Sequence, residues 1–155
     1  RTSSMVSELA PVVLFLKYVV NPNDLLIIEE PESHLHPEAQ RRLAWGMVKL
    51  IRAGVNLLIT THSDYLLSQI SNFITLSQAS KEGRVKAGYS EDDYLNPEEV
   101  GAYLFKLDRA KGGSIVHELK VNAEDGIPEE EFVRVAEALG NEAARIERLI
   151  RRKTQ

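Results

Sequence analysis

Short aliphatic runs alternate with amphipathic stretches along the first half of the chain, and polar turn residues separate them. The run Leu25–Ile28 is bounded by a turn and by acids, which predicts a strand buried on both faces. Apolar residues three and four positions apart predict helices on either side of the strands. In chain order we predict a helix over Leu9–Val20, a strand over Leu25–Ile28, a helix over Pro37–Ala53, a strand over Val55–Ile59 and a helix capped by Ser63. This order favours an α/β fold with a parallel sheet core flanked by helices.

The second half of the chain has a different pattern. Residues 80–98 are polar and predict a mobile loop. Two strands, Ala102–Leu107 and Ser114–Val121, are then predicted to form a hairpin. A long C-terminal helix over Glu129–Arg152 follows. We therefore expect one domain over residues 1–155, made of an α/β core (1–79), a loop (80–98) and a hairpin with a C-terminal helix (99–155).

Composition narrows the class of protein without naming an activity. The 155 residues include 43% hydrophobic and 27% charged residues, with a net charge of −4 and no cysteine. These values are ordinary for a globular protein, and the negative charge does not indicate nucleic-acid binding by the whole molecule. The longest apolar stretch, Leu9–Val20, contains Lys17 and is too short to span a bilayer. We expect a cytoplasmic protein that does not enter membranes.

The strongest chemical signal is the pair of acids that follows the first predicted strand. Ligands bind at the carboxyl ends of strands in α/β sheets, where Glu29 and Glu30 lie. Burying two adjacent carboxylates is costly unless a cation such as Mg²⁺ accompanies them. Because successive strand residues point to opposite faces, one acid can serve the metal while the other addresses an attacking water. A capped strand end followed by a turn, without catalytic meaning, is the alternative.

A second polar cluster follows the second predicted strand. Residues 60–63 read Thr-Thr-His-Ser and lead into a helix. If the two strands are neighbours, this cluster faces the same crevice as Glu29 and Glu30. His62 can then hydrogen-bond a terminal phosphate or the attacking water, although a single histidine at a strand end is often structural.

These segments resemble the ATPase heads of the ABC type. LLIIEEP (residues 25–31) resembles the Walker B strand, ESHLHPEAQ (32–40) the D-loop, and TTHS (60–63) the switch-histidine loop. The likeness is greatest to the OLD-like branch, which groups with the RecF, SMC and double-strand-break-repair ATPases. Residues 2–9 take the place of the signature motif, and residues 97–135 carry a weaker likeness to the family's tail. The resemblance implies a P-loop NTPase fold and ATP hydrolysis.

The resemblance also implies roles for individual residues. Glu29 takes the Mg²⁺-associated position, Glu30 the general-base position that activates water, and His62 the γ-phosphate-sensing position. Ser3 takes the position of the signature serine, which contacts the nucleotide bound by the opposite subunit of such a dimer, and Ser4 lies beside it.

Two further residues, Ser33 and His36, fall in the D-loop at the interface between subunits. The implied cofactors are ATP and Mg²⁺, and the implied partner is a second copy of the chain joined through the signature motif and the D-loop.

Departures from the family pattern limit what is expected of the chain by itself. Glu29 replaces the usual aspartate, Ser4 and Met5 stand where the signature has glycines, and His36 stands where many transporters have aspartate. No G-x-x-x-x-G-K-[ST] phosphate loop occurs in the sequence. We therefore expect the Walker A half to lie upstream of Arg1, and the isolated chain to be inactive.

Other functions remain open at this stage. One alternative is an interaction module that no longer cycles, within a DNA-repair or defence complex. Another is a metal-dependent hydrolase that uses Glu29 and Glu30 with His34 and His36. A basic C-terminal helix admits a nucleic-acid contact, through Arg145, Arg148, Arg151, Arg152 and Lys153. We expect no nuclease activity in this chain, and a transporter role is not favoured.

Overall fold

The computed structural model describes residues 14–108, 110 and 112–152 and shows the predicted α/β architecture. The part of the predicted first helix that precedes residue 14 lies outside the described residues, and 14–18 are helical (α1). The elements that follow are β1 (Leu25–Glu29), α2 (Pro37–Arg52), β2 (Asn56–Thr60), α3 (Asp64–Thr75), a 3₁₀ turn (Leu76–Gln78), α4 (Lys81–Lys86), a second 3₁₀ turn (Pro97–Glu99), β3 (Ala102–Asp108), β4 (Gly113–Leu119) and α5 (Glu130–Arg152).

The predicted parallel sheet is formed by β1 and β2, with Leu25 opposite Asn56 and Glu29 opposite Thr60. Exposure alternates along β1, since Leu25 and Ile27 are 60% and 61% exposed while the residues between them are half-buried. The prediction that this strand is buried on both faces is therefore wrong. Alternate side chains point to opposite faces of a sheet, and the described helices cover one face only.

Helices α2 and α3 form the core that supports this sheet. Its buried members recur at helical spacing and include Ala44, Val48, Leu66, Phe73 and Ile74. Burial of a large aliphatic or aromatic side chain contributes about 1.5–3 kcal/mol, so this contact is the main source of stability in the first half. It also fixes where the first turns of both helices lie relative to the ends of β1 and β2.

The segment 80–98, predicted as a mobile loop, contains a short helix and buried residues. Ser80 caps α4 by accepting a hydrogen bond from Gly83 N at 3.1 Å. The buried Arg84 guanidinium donates hydrogen bonds to main-chain carbonyls on three sides, those of Leu76, Ala79 and Glu91. An apolar pattern cannot reveal this element because the buried anchor is a charged side chain.

A bidentate ion pair joins Glu99, the residue that follows this segment, to Arg52 of α2. Both guanidinium Nη atoms of Arg52 donate to the carboxylate of Glu99 at 2.8 Å, and the Arg52 guanidinium stacks 4.6 Å from the Tyr94 ring centroid. The hydrogen bonds from Arg52 lower the pKa of Glu99 below its usual value, and the pKa of Arg52 is raised. The pair therefore favours the charged form of both groups.

The C-terminal part consists of the predicted hairpin and the predicted long helix. Strands β3 and β4 pair antiparallel, with Ala102 opposite Leu119 and Asp108 opposite Gly113. The 23-residue α5 follows, and no described helix or strand packs along it. Between hairpin and helix, Gly126 pairs with Asn122, and the buried Ile127 donates its N–H to Ser71 Oγ of α3 at 3.1 Å.

Gly126 is required for this docking. Its φ is +76°, and a Cβ there would overlap Ser71, lying 2.7 Å from the Ser71 Cα. We expect Gly126→Ala to lower the free energy of unfolding by about 2–5 kcal/mol, since overpacking costs about 1–3 kcal/mol and left-handed backbone about 1–2 kcal/mol. Urea unfolding measures this loss. The control is Gly88→Ala, where φ is +86° but the space is open, so only about 1 kcal/mol should be lost. Equal losses in the two variants would contradict the steric account.

The Arg52–Glu99 pair predicts a contribution to the pH dependence of stability. Because the folded-state pKa of Glu99 is lowered, its stabilisation is fully present above the ordinary pKa of a glutamate. That stabilisation is lost as the pH falls through the lowered folded-state value. We expect Glu99→Gln to lower the free energy of unfolding at neutral pH. We also expect that free energy to change less than in the unsubstituted protein as the pH falls into the acidic range. Urea unfolding across this range tests the sign, with Glu98→Gln at the exposed neighbouring position as the control.

Candidate active site at the strand ends

The carboxyl ends of β1 and β2 lie side by side, which brings together the two polar clusters found in the sequence. Glu30 N continues the parallel ladder by donating to Thr60 O at 3.0 Å, and it also reaches Thr60 Oγ1 at 3.2 Å. His62 follows two residues after Thr60. The expectation that the two strand ends share one edge of the sheet is therefore met.

The side chains of Glu30 and His62 approach each other across this edge. His62 Nε2 lies 3.7 Å from Glu30 Oε1, and Ser33 Oγ donates to Glu30 Oε2 at 3.2 Å. Glu30 has a φ of +41°, a left-handed conformation that is unfavourable for a residue with a Cβ. This conformation ends the extended strand, and the chain turns back so that Ser33 N donates to Glu30 O at 2.9 Å. Backbone strain of this kind is common at functional sites.

Glu29 and Glu30 are both exposed, so the expectation that the strand buries the two acids is wrong. Glu29 is the last residue of β1 and lies on the same open face as Leu25 and Ile27. That face has no cover among the described residues, which leaves the Glu29 carboxylate open to water. The buried carboxylate at this edge belongs to a different residue.

Glu32 is that buried carboxylate, with 6% of its surface exposed. Its Oε1 accepts hydrogen bonds from the Thr61 hydroxyl and from His62 N, the latter at 3.1 Å. Its Oε2 is buried and has no hydrogen-bond partner among the described residues. Glu32 thus ties the turn after β1 directly to the backbone of His62.

A second bridge runs parallel to the first. Gln40 Nε2 donates to Leu35 O at 2.9 Å, and Gln40 Oε1 accepts the hydroxyl hydrogen of Ser63. Ser63 Oγ in turn accepts from Leu66 N at 3.2 Å, which confirms Ser63 as the N-cap of α3. Sequence reasoning missed Glu32 and Gln40 as site-supporting residues, because each meets a partner more than twenty positions away.

Two of the four predicted nucleotide-contacting residues, Ser33 and His36, lie within the described part of the chain. Ser33 lies against Glu30, whereas the exposed His36 caps α2, its Nδ1 accepting from Glu38 N at 3.4 Å. Ser3 and Ser4 lie outside the described residues. The nucleotide contacts expected of Ser3, Ser4, Ser33 and His36 stay predictions.

The exposed groups at the strand ends are of the kind that Mg²⁺ takes one or two at a time, with phosphate oxygens and waters as its other ligands. The accessible groups are carboxylates and hydroxyls, from Glu29, Glu30 and Ser33, and Mg²⁺ prefers such oxygen ligands. Within the described residues, no three His, Asp or Glu side chains form a group that could hold a metal ion. That same part of the chain contains no helix long and apolar enough to cross a membrane.

Comparison with known proteins gives matches in the part of the chain that carries this site. A family model described as "AAA domain, putative AbiEii toxin, Type IV TA system" matches residues 6–68. The Nod factor export ATP-binding protein I of Cupriavidus pinatubonensis is 29% identical over 96 residues, which cover 61% of this chain and 29% of that protein. The protein of the same name from Cupriavidus metallidurans is 35% identical over 65 residues, covering 41% of this chain and 21% of the relative.

A third relative comes from a phage. The Old nuclease of Escherichia phage P2 is 41% identical over 46 residues, 30% of this chain and 8% of that protein. The chain thus spans less than a third of each of these relatives. No solved structure gives a significant match. Residues 6–68, with Glu29, Glu30 and His62 at the strand ends, are therefore similar to a segment of ABC- and OLD-like AAA proteins.

Proposed function

We propose that this chain contributes the Walker B, D-loop and switch-histidine parts of an ATPase that hydrolyses ATP with Mg²⁺. The observation that carries the proposal is the approach of His62 Nε2 to within 3.7 Å of Glu30 Oε1 at the ends of two parallel strands. A general base must lie within hydrogen-bond reach of the water that it activates. A water beside this pair, within hydrogen-bond reach of both the carboxylate and the imidazole, would meet that condition.

The positions of the residues support a role for each of them in this proposal. Glu30 accepts a hydrogen bond from the attacking water and draws its proton, and Ser33 Oγ orients the other carboxylate oxygen. His62 donates from Nε2 to an oxygen of the terminal phosphate. Glu29, on the adjacent open face, is the acid associated with Mg²⁺, which supplies charge neutralisation at the phosphates when bound.

The proposal requires partners for this chain. A phosphate-binding loop must come from a Walker A half outside the 155 residues, since no such motif occurs within them. The D-loop position of Ser33 and His36 fits a head-to-tail dimer that closes around nucleotide, with Ser3 and Ser4 on the opposite nucleotide. A cytoplasmic location fits ATP chemistry, and a nucleic-acid contact through the arginines of α5 fits a role in DNA repair or defence.

A non-cycling scaffold is the second candidate function. Ser4 and Met5 stand where the signature motif has glycines, and a side chain there hinders close approach of the backbone to phosphate. Dimerisation of the reconstituted head that depends on nucleotide supports the ATPase, and dimerisation that ignores nucleotide supports the scaffold.

Substitution of the general base tests the proposal. In the protein that includes the Walker A half, we expect Glu30→Gln to lower kcat at least about a hundredfold, the scale of general-base catalysis. Nucleotide affinity should change little, because a carboxamide retains the shape and the hydrogen bond from Ser33. Steady-state ATP hydrolysis and nucleotide titration measure the two quantities separately.

Two controls make this result specific. Glu38→Gln is the matched substitution at an exposed acid on α2, whose carboxylate pairs with Arg41 and Arg42, and it should leave kcat unchanged. The 155-residue chain alone should show negligible turnover. Turnover by the chain alone that disappears in Glu30→Gln would contradict the need for an outside phosphate loop, and full activity of Glu30→Gln would refute the base assignment.

The contacts of Glu32 give a second prediction, that it positions His62. We expect Glu32→Ala to lower kcat about tenfold or more, since hydrogen bonds to a charged group contribute about 1.5–3 kcal/mol. Glu32→Gln should retain most of the activity because its amide oxygen can still accept from the Thr61 hydroxyl and His62 N. Both variants are compared by kcat and by urea unfolding.

A double-mutant cycle separates this role from a general loss of stability. If Glu32 acts through His62, Glu32→Ala adds little to the loss already caused by His62→Ala. Additive losses would show that Glu32 acts elsewhere in the protein. Thr61→Val, which removes one of the two donors to Glu32 Oε1, should have an intermediate effect.

A further inference from the structure

The apolar side of α5 is exposed along the whole helix. Its members recur every three or four residues, and the two central ones, Leu139 and Ile146, are 61% and 49% exposed. We define this stripe by Val135, Ala136, Leu139, Ala143, Ile146 and Leu149, and large and small residues alternate along it from Val135 to Ile146. Since α5 packs along no described element, its apolar side requires a cover of matching length, about 35 Å for 23 residues.

We propose that this cover is α5 of a second copy of the chain, packed antiparallel, with the two-fold axis at the level of residue 141 along the helix. A two-fold pair uses the same surface on both copies, so one stripe must be complementary to itself when reversed. Both the sizes and the charges of the residues in α5 meet this condition.

The sizes match when the helices run in opposite directions. In a register centred on residue 141, Leu139 faces Ala143 of the second copy, and Ile146 faces the second copy's Ala136. Val135 lies beside the second copy's Leu149. Large residues therefore meet small ones in each central layer, which fills the interface and allows close approach of the helices.

A parallel pair would pack less well. In that arrangement Leu139 meets Leu139 and Ala143 meets Ala143, so wide and narrow layers alternate and cavities remain at the alanines.

The charges favour the same direction. Residues 130–141 contain three glutamates and one arginine, whereas residues 142–152 contain four arginines and two glutamates. An antiparallel pair lays the acidic half of one helix against the basic half of the other. In this register Glu137 of each copy lies level with Arg145 of the other. A parallel pair would bring like halves together, a repulsion that acts within about 10 Å at ordinary salt.

This interface is separate from the strand-end site and uses none of its residues. It should therefore form without nucleotide, in contrast to the head-to-tail dimer through the D-loop under the proposed function. If either dimer does not form, the other is still expected to form. The two are distinguished by whether ATP with Mg²⁺ changes the dissociation constant of the dimer.

Sedimentation equilibrium of the 155-residue chain tests the proposal. We expect a dimer whose dissociation constant is unchanged by ATP with Mg²⁺ and rises at least about tenfold in Leu139→Asp, which puts a charge in the apolar stripe. Asn141→Asp introduces the same charge two residues away on the opposite side of the helix. It should change the dissociation constant by less than about threefold. Circular dichroism of each variant confirms that the chain remains folded.

The direction of the helices is tested by cross-linking, which is clean because the chain has no cysteine. Mixed Val135→Cys and Leu149→Cys proteins should be joined by a short bis-maleimide as a heterodimer, in preference to either homodimer. A monomeric chain, equal effects of Leu139→Asp and Asn141→Asp, or a cross-link of each protein to itself would overturn the proposal. If the chain is a monomer, the apolar stripe is covered by another segment or by another protein, and not by a second copy of α5.

Discussion

The arrangement of the strand ends depends on one buried carboxylate. Glu32 Oε1 receives both the Thr61 hydroxyl and the His62 amide, so a single oxygen joins the turn after β1 to the loop after β2. Parallel pairing of β1 and β2 aligns the strands, but it does not determine how the loops beyond them lie. Without Glu32, His62 would have no described contact that fixes its backbone relative to Glu30.

This carboxylate is costly to bury, and the rest of the first half offsets that cost. Its second oxygen has no partner among the described residues, and desolvation of a carboxylate opposes folding by several kcal/mol. Apolar contact between α2 and α3, centred on Leu66 and Phe73, contributes stability of the same order. The same contact places Gln40 of α2 against Ser63 at the start of α3, so the second bridge depends on it too.

Sequence patterns correctly predicted most of the helices and strands, because their formation depends on residues that are close in the sequence. Helical spacing and caps located α2, α3 and α5 to within a residue or two, and the strand runs identified both hairpin strands and the parallel pair. The motif residues Glu30 and His62 were brought together as their strand ends required. Glu32 escaped prediction because its partner Thr61 lies 29 positions away in the sequence. Arg84 escaped prediction because it is a charged side chain that binds main-chain carbonyls, which leaves no apolar pattern.

The exposure of β1 was mispredicted for an informative reason. A continuous aliphatic run indicates a strand that is apolar on both faces, but not which face is covered within a given set of residues. Here Leu25 and Ile27 remain open, and Glu29 lies on the same face of the same strand. The two aliphatic side chains and the Glu29 carboxylate lie on one uncovered face of β1, so a single segment packed along that face would contact all three. The exposed acid and the exposed aliphatic residues therefore have one structural explanation.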